Sequence, residues 1–492
     1  MSNLSELLPS GGGQNVVEFT ASGAVSSGKP VILNSDGTVT EVAETSISLN
    51  TATTQIGSDQ YAAYPATVYD SQNDVFVQIY YRSSILRAIV GTVASNQTVS
   101  FGTEVNVASI TSLEETRAVY DPVSGKIVVT FRNGGVGSYG YYVVGEVSGT
   151  STTWGTPTAY YSASINSPAL GCNEAYGMIY AFYRDTANNN QIQAGTVSGT
   201  TVSFSGIGTG GSDAYDAAHV GAYDSTNSAI MFVYRDSGGS SYTRGVAVTY
   251  DGSSHSIGSV TTLTTRRIYV SCSASYDPTT GKILVALPDQ NASYYGYGLL
   301  VTLSGNTISA GTPVVFDSNA LSEVLVHPIP SGTTYNHQVV YRRTTNNVLR
   351  NISCVSTGSS PSFSGDTLIA NGRYLISGAF GGPSDNKVSF TFNRNVYPNS
   401  PYYSFAYVRR SAYSVPNLTA TNFIGLASAA ISDTASGDIN VKGGINEAQT
   451  GLTIGSDYYV QTDGTLGTTA DDPSVKVGQA ISATTINMMD LT

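Results

Sequence analysis

Charged residues are scarce in this chain of 492 residues, at 11%, and cysteine, histidine and tryptophan number only three, four and one. The cysteines, Cys172, Cys272 and Cys354, are widely spaced and include no CxxC pair, so we expect buried thiols rather than a disulfide framework. The histidines show no metal-ligand spacing, and no Walker loop, GxSxG or HExxH motif occurs. These absences predict a protein without a metal site, a cofactor or catalytic residues.

Basic residues are fewer than acidic ones: 22 lysines and arginines stand against 34 aspartates and glutamates, which gives a net charge of −12. Nucleic acids and anionic membranes attract basic patches, so this balance argues against either as a partner. No segment approaches the roughly 20 apolar residues of a membrane span. The first residues, MSNLSELLPSGGGQNVVEF, lack the basic and apolar regions of a signal peptide, which predicts synthesis in a cytoplasm without membrane insertion.

The chain contains a long internal repeat. AVYDPVSGKIVVTFRN at 118–133 returns as ASYDPTTGKILVALPDQ at 274–290, and related segments occur before, between and after these two. The segments end at Arg82, Arg132, Arg184, Arg235, Pro288, Arg342 and Arg394. The intervals are 50, 52, 51, 53, 54 and 52 residues, which indicates seven repeats of about 52 residues.

Each repeat has the pattern of four short antiparallel strands. In the second repeat these are RAVYD, KIVVTFRN, YGYYVVGEV and TWGTPTAYY, with turns such as PVSG and SGTS between them. Four strands at this period are typical of a β-propeller, so we predict an all-β fold with a seven-bladed propeller. The last repeat loses its pattern early, whereas a surplus strand-like segment, residues 46–56, precedes the first repeat. We expect this segment to complete the last blade and close the ring.

The two chain ends outside the repeats resemble each other. GKPVILNSDGTVTEV at 28–42 and GSDYYVQTDGTLGTT at 455–469 each place a strand on either side of a turn that contains Asp-Gly, a strong hairpin signal. We therefore predict a small β domain formed by both chain ends, residues 1–45 and 413–492, with the propeller, residues 46–412, inserted into it. Two separate hairpin modules are the alternative.

The C-terminal end also carries a family resemblance. The sequence from GLTIGSDYYV to VGQAISATTINM, at 451–488, resembles a segment of bacteriophage tail-fibre and other virion structural proteins. The shared residues are Gly451, Leu452, Thr453, Gly455, Tyr458 and Tyr459 in a first strand, and Val477, Gly478, Ala480, Ser482 and Thr484 in a second. The resemblance implies a virion component that is assembled in a bacterial cytoplasm and extracellular after release, with other virion proteins and further copies of itself as partners.

The first candidate binding residues are the arginines that end the second strand in six of the seven repeats. They are Arg82, Arg132, Arg184, Arg235, Arg342 and Arg394. Equivalent positions in a propeller lie on a circle, so these guanidinium groups could together hold a carboxylate, sulfate or phosphate. The alternative is that each arginine pairs with a repeat acid such as Asp70, Asp121, Asp224 or Asp277. We favour pairing, because packing repeats a feature in every blade, whereas a binding site usually breaks the repeat.

The second candidates are tyrosines, of which the chain has 34. Tyr294, Tyr295 and Tyr297 form a dense group in the fifth repeat. Tyrosine combines flat apolar area with a hydroxyl at low entropic cost, which suits contact with sugars or protein surfaces. The alternative is a structural role, because tyrosine is also a good strand former.

These features together favour a non-enzymatic bacteriophage virion structural protein, such as a tail fibre, spike or head appendage. Its propeller would be displayed for attachment to host-surface glycans or another receptor, and many weak sites on one particle would give strong attachment. Two alternatives stay open: a capsid or tail decoration protein without a receptor, and a depolymerase that cuts surface glycans. The repeated Ser-x-Asp-x-Gly-x-Thr-Trp turns of sialidases are missing and no carboxylate pair stands out, which weighs against the depolymerase.

Overall fold

The structure is a computed structural model that describes residues 15–47, 53–55, 63–93, 99–212, 220–236, 241–269, 271–329, 336–371, 374–381, 387–395, 402–410, 413–471 and 473–488. The chain divides into two compact units, one formed by residues 1–48 and 412–492 and the other by residues 49–411. These bounds lie close to the predicted divisions after residues 45 and 412. In the described part of the chain, no helix is long and apolar enough to cross a membrane.

The chain is built almost entirely of short strands. Before the first repeat, the described residues form β1 (Val16–Thr20), β2 (Pro30–Leu33), β3 (Val39–Glu41), β4 (Glu44–Ile47) and β5 (Thr53–Gln55). The first three repeats form β6 (Ala63–Asp70), β7 (Val75–Arg82), β8 (Ile85–Val93), β9 (Val99–Phe101), β10 (Val105–Ser109), β11 (Leu113–Asp121), β12 (Lys126–Asn133), β13 (Tyr139–Ser148), β14 (Ser151–Trp154), β15 (Thr158–Ser164), β16 (Asn166–Asn173), β17 (Met178–Arg184), β18 (Asn189–Ser198), β19 (Thr201–Val202) and β20 (Ser205–Ser212).

The remaining four repeats continue in the same way. They form β21 (Val220–Asp224), β22 (Ala229–Arg235), β23 (Thr243–Tyr250), β24 (His255–Ile257), β25 (Thr261–Thr264), β26 (Ser273–Asp277), β27 (Lys282–Asp289), β28 (Tyr295–Ser304), β29 (Thr307–Ala310), β30 (Val314–Asp317), β31 (Leu321–Pro328), β32 (His337–Arg343), β33 (Val348–Val355), β34 (Ser362–Asn371), β35 (Tyr374–Gly381), β36 (Lys387–Asn395) and β37 (Tyr402–Arg410).

Each repeat folds into one antiparallel sheet, so the described residues contain seven such sheets, which we call blades 1–7 in chain order. The first strands of successive blades, β6, β11, β16, β21, β26, β31 and β35, pack side by side, and β35 packs in turn against β6. The sheets therefore form a closed ring around a central channel that these first strands line. The predicted all-β propeller is confirmed.

Blade 7 is completed by a strand from before the first repeat. β5 pairs antiparallel with β37, with Thr54 opposite Ala406, and forms the fourth strand of that sheet. The sequence predicted this role for the whole of residues 46–56, but the structure divides the segment. Residues 53–55 complete the blade, whereas residues 46 and 47 belong to β4, which pairs with a strand of the other unit's C-terminal part.

That other unit contains strands from both chain ends. Its C-terminal strands are β38 (Tyr413–Pro416), β39 (Phe423–Ala427), β40 (Ser436–Val441), β41 (Ile445–Asn446), β42 (Asp457–Val460), β43 (Leu466–Gly467), β44 (Val475–Ala480) and β45 (Ile486–Asn487). One sheet has the order β1-β40-β39-β2-β3, a second has the order β41-β45-β44-β42-β43, and β4 pairs with β38. The two predicted Asp-Gly hairpins are present as β2–β3 and β42–β43, each in its own sheet.

The second strand of a blade is buried on both faces, because it lies between two neighbouring blades. In blade 2, Ile127, Val129 and Phe131 pack against blade 1, whereas Val128 packs with Ile179 of blade 3. All five side chains are 0% exposed. Because successive side chains of a strand point to opposite faces, a strand in this position needs an uninterrupted apolar run such as IVVTF.

The repeated aspartate ends the first strand and holds the turn that follows it. Asp277, which is 1% exposed, accepts hydrogen bonds from the backbone N–H of Thr279 at 3.0 Å and of Thr280 at 3.2 Å, and from the Thr280 hydroxyl at 2.6 Å. The same arrangement recurs at Asp70, Asp121 and Asp224. The repeated Tyr-Asp dipeptide therefore marks the turn between the first and second strands of a blade.

Replacing this aspartate tests how much the turn contributes. We expect Asp277→Ala to lower the free energy of unfolding by about 1–3 kcal/mol, because it removes a buried carboxylate together with the three hydrogen bonds that it accepts from the turn. Chemical denaturation monitored by tyrosine fluorescence measures the change. Asp251→Ala is the matched control: Asp251 accepts from Ser253 N and Ser254 N, both at 2.8 Å, but in an exposed turn where water can replace it. Equal losses in the two variants would contradict the role of burial.

Candidate functional site

The six predicted arginines lie at the ends of the blades remote from the aspartate turns. Each second strand starts after its turn and runs to its arginine, as from Lys126 to Arg132 in β12, a distance of roughly 20 Å for a strand of this length. The predicted pairing of these arginines with Asp70, Asp121, Asp224 and Asp277 is therefore wrong. Those carboxylates bind their own turns at the opposite end of the strand.

Two of the arginines pair instead with glutamates on the first strand of the same blade. Arg132 Nε lies 3.1 Å from Glu114 Oε2, and Arg342 Nη1 lies 3.6 Å from Glu323 Oε2. Arg342 also donates to the Ser322 hydroxyl at 3.0 Å. These contacts join the first strand to the second within blades 2 and 6.

Arg82 does not occupy the same place in its blade as Arg132. Arg132 is the seventh residue of β12, whereas the seventh residue of β7 is Tyr81 and Arg82 is the eighth. Because neighbouring side chains of a strand point to opposite faces, this offset turns Arg82 to the other face of its sheet. There its Nη2 lies 2.8 Å from Glu104 Oε1, which also pairs with Arg87.

The remaining three arginines lie in separate surroundings. Arg235 is 3% exposed and donates to the Ile268 carbonyl at 3.2 Å, in the segment that leads into blade 5. Arg184 ends β17 and is partly buried, and the side chain of Arg394, in β36, lies outside the described residues. In the described residues, these arginines therefore contact different protein groups, and the contacts lie in separate blades. A shared anion ring stays a prediction.

The histidines of blade 6 are core residues. His337 is 0% exposed, and its Nε2 donates to the Ser275 carbonyl at 3.0 Å. Burial lowers the pKa of His337 to about 4, although the nearby Asp277 carboxylate favours the charged form, and burial lowers the pKa of His327 to about 3. Among the described residues, no group of three or more histidine, cysteine or carboxylate side chains could hold a metal ion.

The predicted tyrosine candidates follow the second strand of blade 5. Tyr294 precedes β28, Tyr295 begins it opposite Asp289, and Tyr297 lies within it, 6% exposed. The connection from β27 to β28 contains a single 3-10 turn, Gln290–Ala292, which the Asp289 side chain caps. Blade 2, whose sequence is most like that of blade 5, has the corresponding turn at Gly134–Val136.

Tyr294 has a backbone conformation that is unusual for a tyrosine. Its φ is +65°, and the corresponding residue of blade 2, Ser138, has a φ of +60°. Bulky residues rarely adopt positive φ, and such outliers cluster at functional sites. The Tyr294 carbonyl accepts a hydrogen bond from Leu321 N of blade 6 at 2.9 Å, which fixes the residue at the junction of two blades.

A buried carboxylate holds the surroundings of Tyr294 together. Asp289 is 0% exposed and accepts hydrogen bonds from Asn291 N, Arg267 N and Arg266 Nη1, each at 3.0 Å. Asn291 belongs to the connection between β27 and β28, whereas the two arginines belong to the segment that leads into blade 5. One carboxylate therefore ties two loops of the blade to each other.

The two loops bring aromatic rings and a guanidinium group together. The ring centroids of Tyr269 and Tyr294 are 4.5 Å apart, and Arg266 Cζ lies 4.1 Å from the ring centroid of Tyr297. The Arg266 side chain is 36% exposed, so part of it meets solvent. We call Arg266, Tyr269, Asp289, Tyr294 and Tyr297 the blade 5 platform.

Sequence reasoning singled out Tyr294, Tyr295 and Tyr297 but not the residues that contact them. Arg266, Tyr269 and Asp289 were absent from the predicted site, because they come from a different loop or were counted as part of the repeat. One signal was available. The repeat segment of the fifth blade ends in Pro288 where the segments of the other blades end in arginine, and Asp289 follows it directly, so the sequence pattern is broken at this point.

No protein-family model and no curated protein matches the sequence. Several solved structures are similar in fold. A lectin from Aleuria aurantia, described as a six-bladed β-propeller that recognises fucose, is 12% identical, and the match covers 63% of this chain and 97% of that one with a TM-score of 0.39. A protein from Lactobacillus plantarum is 10% identical, with 72% and 96% covered and a TM-score of 0.43.

A third similar structure is a putative 6-phosphogluconolactonase from Bacteroides uniformis. It is 11% identical, the match covers 73% of this chain and 98% of that one, and the TM-score is 0.43. At TM-scores below 0.5, these likenesses carry no argument about what this chain binds or does. The description of this chain as a propeller rests on its own strand order and on the ring of first strands.

Proposed function

We propose that the propeller is a non-enzymatic carbohydrate-binding head and that the unit formed by both chain ends attaches it to a bacteriophage particle. The blade 5 platform is the sugar site. The observation that carries this proposal is the contact of Tyr269 with Tyr294 beside Arg266, which the buried Asp289 holds in place.

The platform offers what a sugar ring needs. A sugar presents an apolar C–H face and a rim of hydroxyl groups, and tyrosine supplies flat apolar area together with a hydroxyl. Arg266 supplies fixed donors for ligand hydroxyls, because its guanidinium is already oriented by Asp289 on one side and by the Tyr297 ring on the other. A few placed polar groups among aromatic side chains are typical of small-ligand sites.

The platform is also ordered before any ligand arrives. Asp289 joins its two loops, and the Tyr294 carbonyl is bonded to blade 6. A site built in this way loses little conformational entropy on binding, which favours affinity even for a small contact area.

Glycan-array binding with Tyr294→Ser tests the sugar site. Serine occupies the corresponding position in blade 2 at a similar φ, so the backbone should keep its course. We expect the wild type to bind a defined set of glycans and the variant to bind them about tenfold more weakly, which corresponds to about 1.4 kcal/mol. The physical reason is the loss of one ring from the pair of tyrosines in contact, Tyr269 and Tyr294.

Tyr176→Ser is the matched control. Tyr176 is 41% exposed and lies in the turn after β16, at the other end of the blades from the platform. Glycan affinity should be unchanged in this variant. Equal weakening by both substitutions, or no glycan bound by the wild type, would reject the platform as a sugar site.

The absence of catalysis has its own test. Host polysaccharide incubated with the protein should release no reducing ends beyond the buffer control. Release that increases with time and with protein concentration would favour the depolymerase instead.

Attachment to a particle is the part of the proposal that rests on the C-terminal resemblance. Antibodies against residues 413–492 should label purified phage particles in electron micrographs. If particles that contain all other virion proteins lack this chain, the virion role is wrong. The glycan array tests the sugar-binding proposal independently of this result.

A further inference from the structure

The propeller contains a cavity at the aspartate-turn end of its central channel, far from the blade 5 platform. Its volume is about 380 Å³, within the range of small-molecule sites. The ends of four consecutive first strands, those of blades 1–4, line it. The lining includes Tyr69, Tyr120, Tyr223, Cys172 and Glu174.

The cavity lies where the repeat is broken. In blades 1, 2 and 4 the first strand ends in Tyr-Asp, followed by serine or proline, whereas blade 3 has Cys172, Asn173 and Glu174 in these places. Asn173 pairs with Met178, the first residue of the second strand of blade 3, just as Asp121 pairs with Lys126, the first residue of the second strand of blade 2. This match confirms that Asn173 corresponds to the repeated aspartate. A binding site is expected to break the symmetry of a repeat in this way.

The substitution of tyrosine by cysteine explains the space. In blade 5 the corresponding ring reaches the turn of the preceding blade, where the Tyr276 hydroxyl lies 2.6 Å from Thr226 Oγ1. Cys172 is too short to reach across in the same way, so no ring fills the volume between the turns of blades 2 and 3. Gly171 and Gly221, which also line the cavity, add no side chain.

The electrostatic character of the cavity is negative. Glu174 is an exposed residue that lines the cavity; partial loss of hydration there raises the pKa of its carboxyl above the ordinary value, and the negative charge of Asp121 in the neighbouring turn raises it further. No lysine or arginine is among the lining residues. A cation beside Glu174 would relieve this repulsion, whereas an anion would add to it.

We propose that this cavity binds a small organic cation of the alkylammonium class. Tyrosines and a glutamate are among the residues that line this one cavity, and aromatic rings and carboxylates recognise such ligands by cation–π attraction and by ion pairing. The apolar walls, formed by residues such as Val68, Val119 and Leu170, suit the methyl groups of a quaternary ammonium ion better than a hydrated metal ion. This inference does not depend on sugar binding at blade 5.

Calorimetric titration of the full chain with choline tests the proposal. The matched probe is 3,3-dimethylbutan-1-ol, which has the shape of choline without its charge. We expect saturable binding of choline and at least tenfold weaker binding of the neutral probe. Glu174→Gln should weaken choline binding about tenfold and leave the binding of the neutral probe unchanged.

A second variant tests the space rather than the charge. Cys172→Tyr restores the repeat and should abolish choline binding by filling the cavity. Glu447→Gln, an exposed acid in the other unit, is the control for loss of one negative charge and should bind choline as the wild type does. Equal affinity for choline and the neutral probe, or a heat of binding that none of the cavity variants changes, would overturn the proposal, and so would the absence of binding.

Discussion

Phe232→Ala should lower the free energy of unfolding by about 3–5 kcal/mol, the largest loss that we expect from one substitution. Phe232 is 0% exposed in the second strand of blade 4. Its ring stacks on Phe182 of blade 3, with centroids 4.8 Å apart and planes inclined by 15°. The substitution therefore removes apolar contact between two blades and leaves a cavity that strands bonded on both sides cannot close.

Urea denaturation monitored by circular dichroism measures this loss. The control is Val123→Ala, because Val123 lies in a turn and is 61% exposed. It should change the free energy of unfolding by no more than about 0.5 kcal/mol, as is usual for surface positions. A loss below 1 kcal/mol for Phe232→Ala would mean that the stacked pair is not part of a rigid interface.

The second large effect should come from the strand that closes the ring. We expect the double substitution Thr53→Pro/Thr54→Pro to lower the free energy of unfolding by about 3 kcal/mol. Adjacent backbone N–H groups of a strand point in opposite directions, so two successive prolines remove the donor that faces β37, whichever of the two it is. Blade 7 then loses its fourth strand and exposes an edge.

The matched control for this variant is Thr53→Ser/Thr54→Ser, which keeps both backbone donors. Urea denaturation should show a near-wild-type midpoint for the serine variant and a lower one for the proline variant. Size-exclusion chromatography should also show association of the proline variant, because an open sheet edge pairs with other chains. Identical midpoints for the two variants would show that β5 does not hold the ring closed.

The fold was largely predictable because the same sequence pattern occurs in most of the repeats. A turn aspartate, an apolar second strand and a glycine turn recur in most repeats, and each copy reinforces the interpretation of the others. The closure by an early segment was also predictable, since the last repeat lacked a strand. The division of that segment could not be predicted, because the strand that pairs with β38 (ETSI) and the strand that pairs with β37 (TTQ) are both short and rich in threonine and other polar residues.

The arginine series shows where repeat reasoning fails. The repeats were aligned by their arginines, and a shift of one residue, as between Arg82 and Arg132, turns a side chain to the opposite face. The partner of each arginine also comes from a different part of the blade, such as Glu114 on the first strand or Glu104 before β10. Such contacts depend on the register of three strands, which a single sequence does not specify.

For the same reason, the sequence indicated only some of the residues in each proposed site. Tyr294, Tyr295 and Tyr297 stood out as a cluster, but Arg266 and Tyr269 join them only through the backbone pairing of two loops. The cavity next to Cys172 exists because cysteine replaces the tyrosine that other blades have at this position and leaves its volume unfilled. A missing side chain becomes visible only when the neighbouring blades are in place.

The pairing of β4 with β38, two strands of the unit formed by the chain ends, has a mechanical consequence. They run antiparallel and side by side, and the end of β4 and the start of β38 both lead to the segment between residues 49 and 411. A force that pulls on that segment therefore draws both strands in one direction and is divided between them. Because neither strand slides past the other under such a load, the hydrogen bonds between β4 and β38 are not sheared, and the strand pair can carry tension.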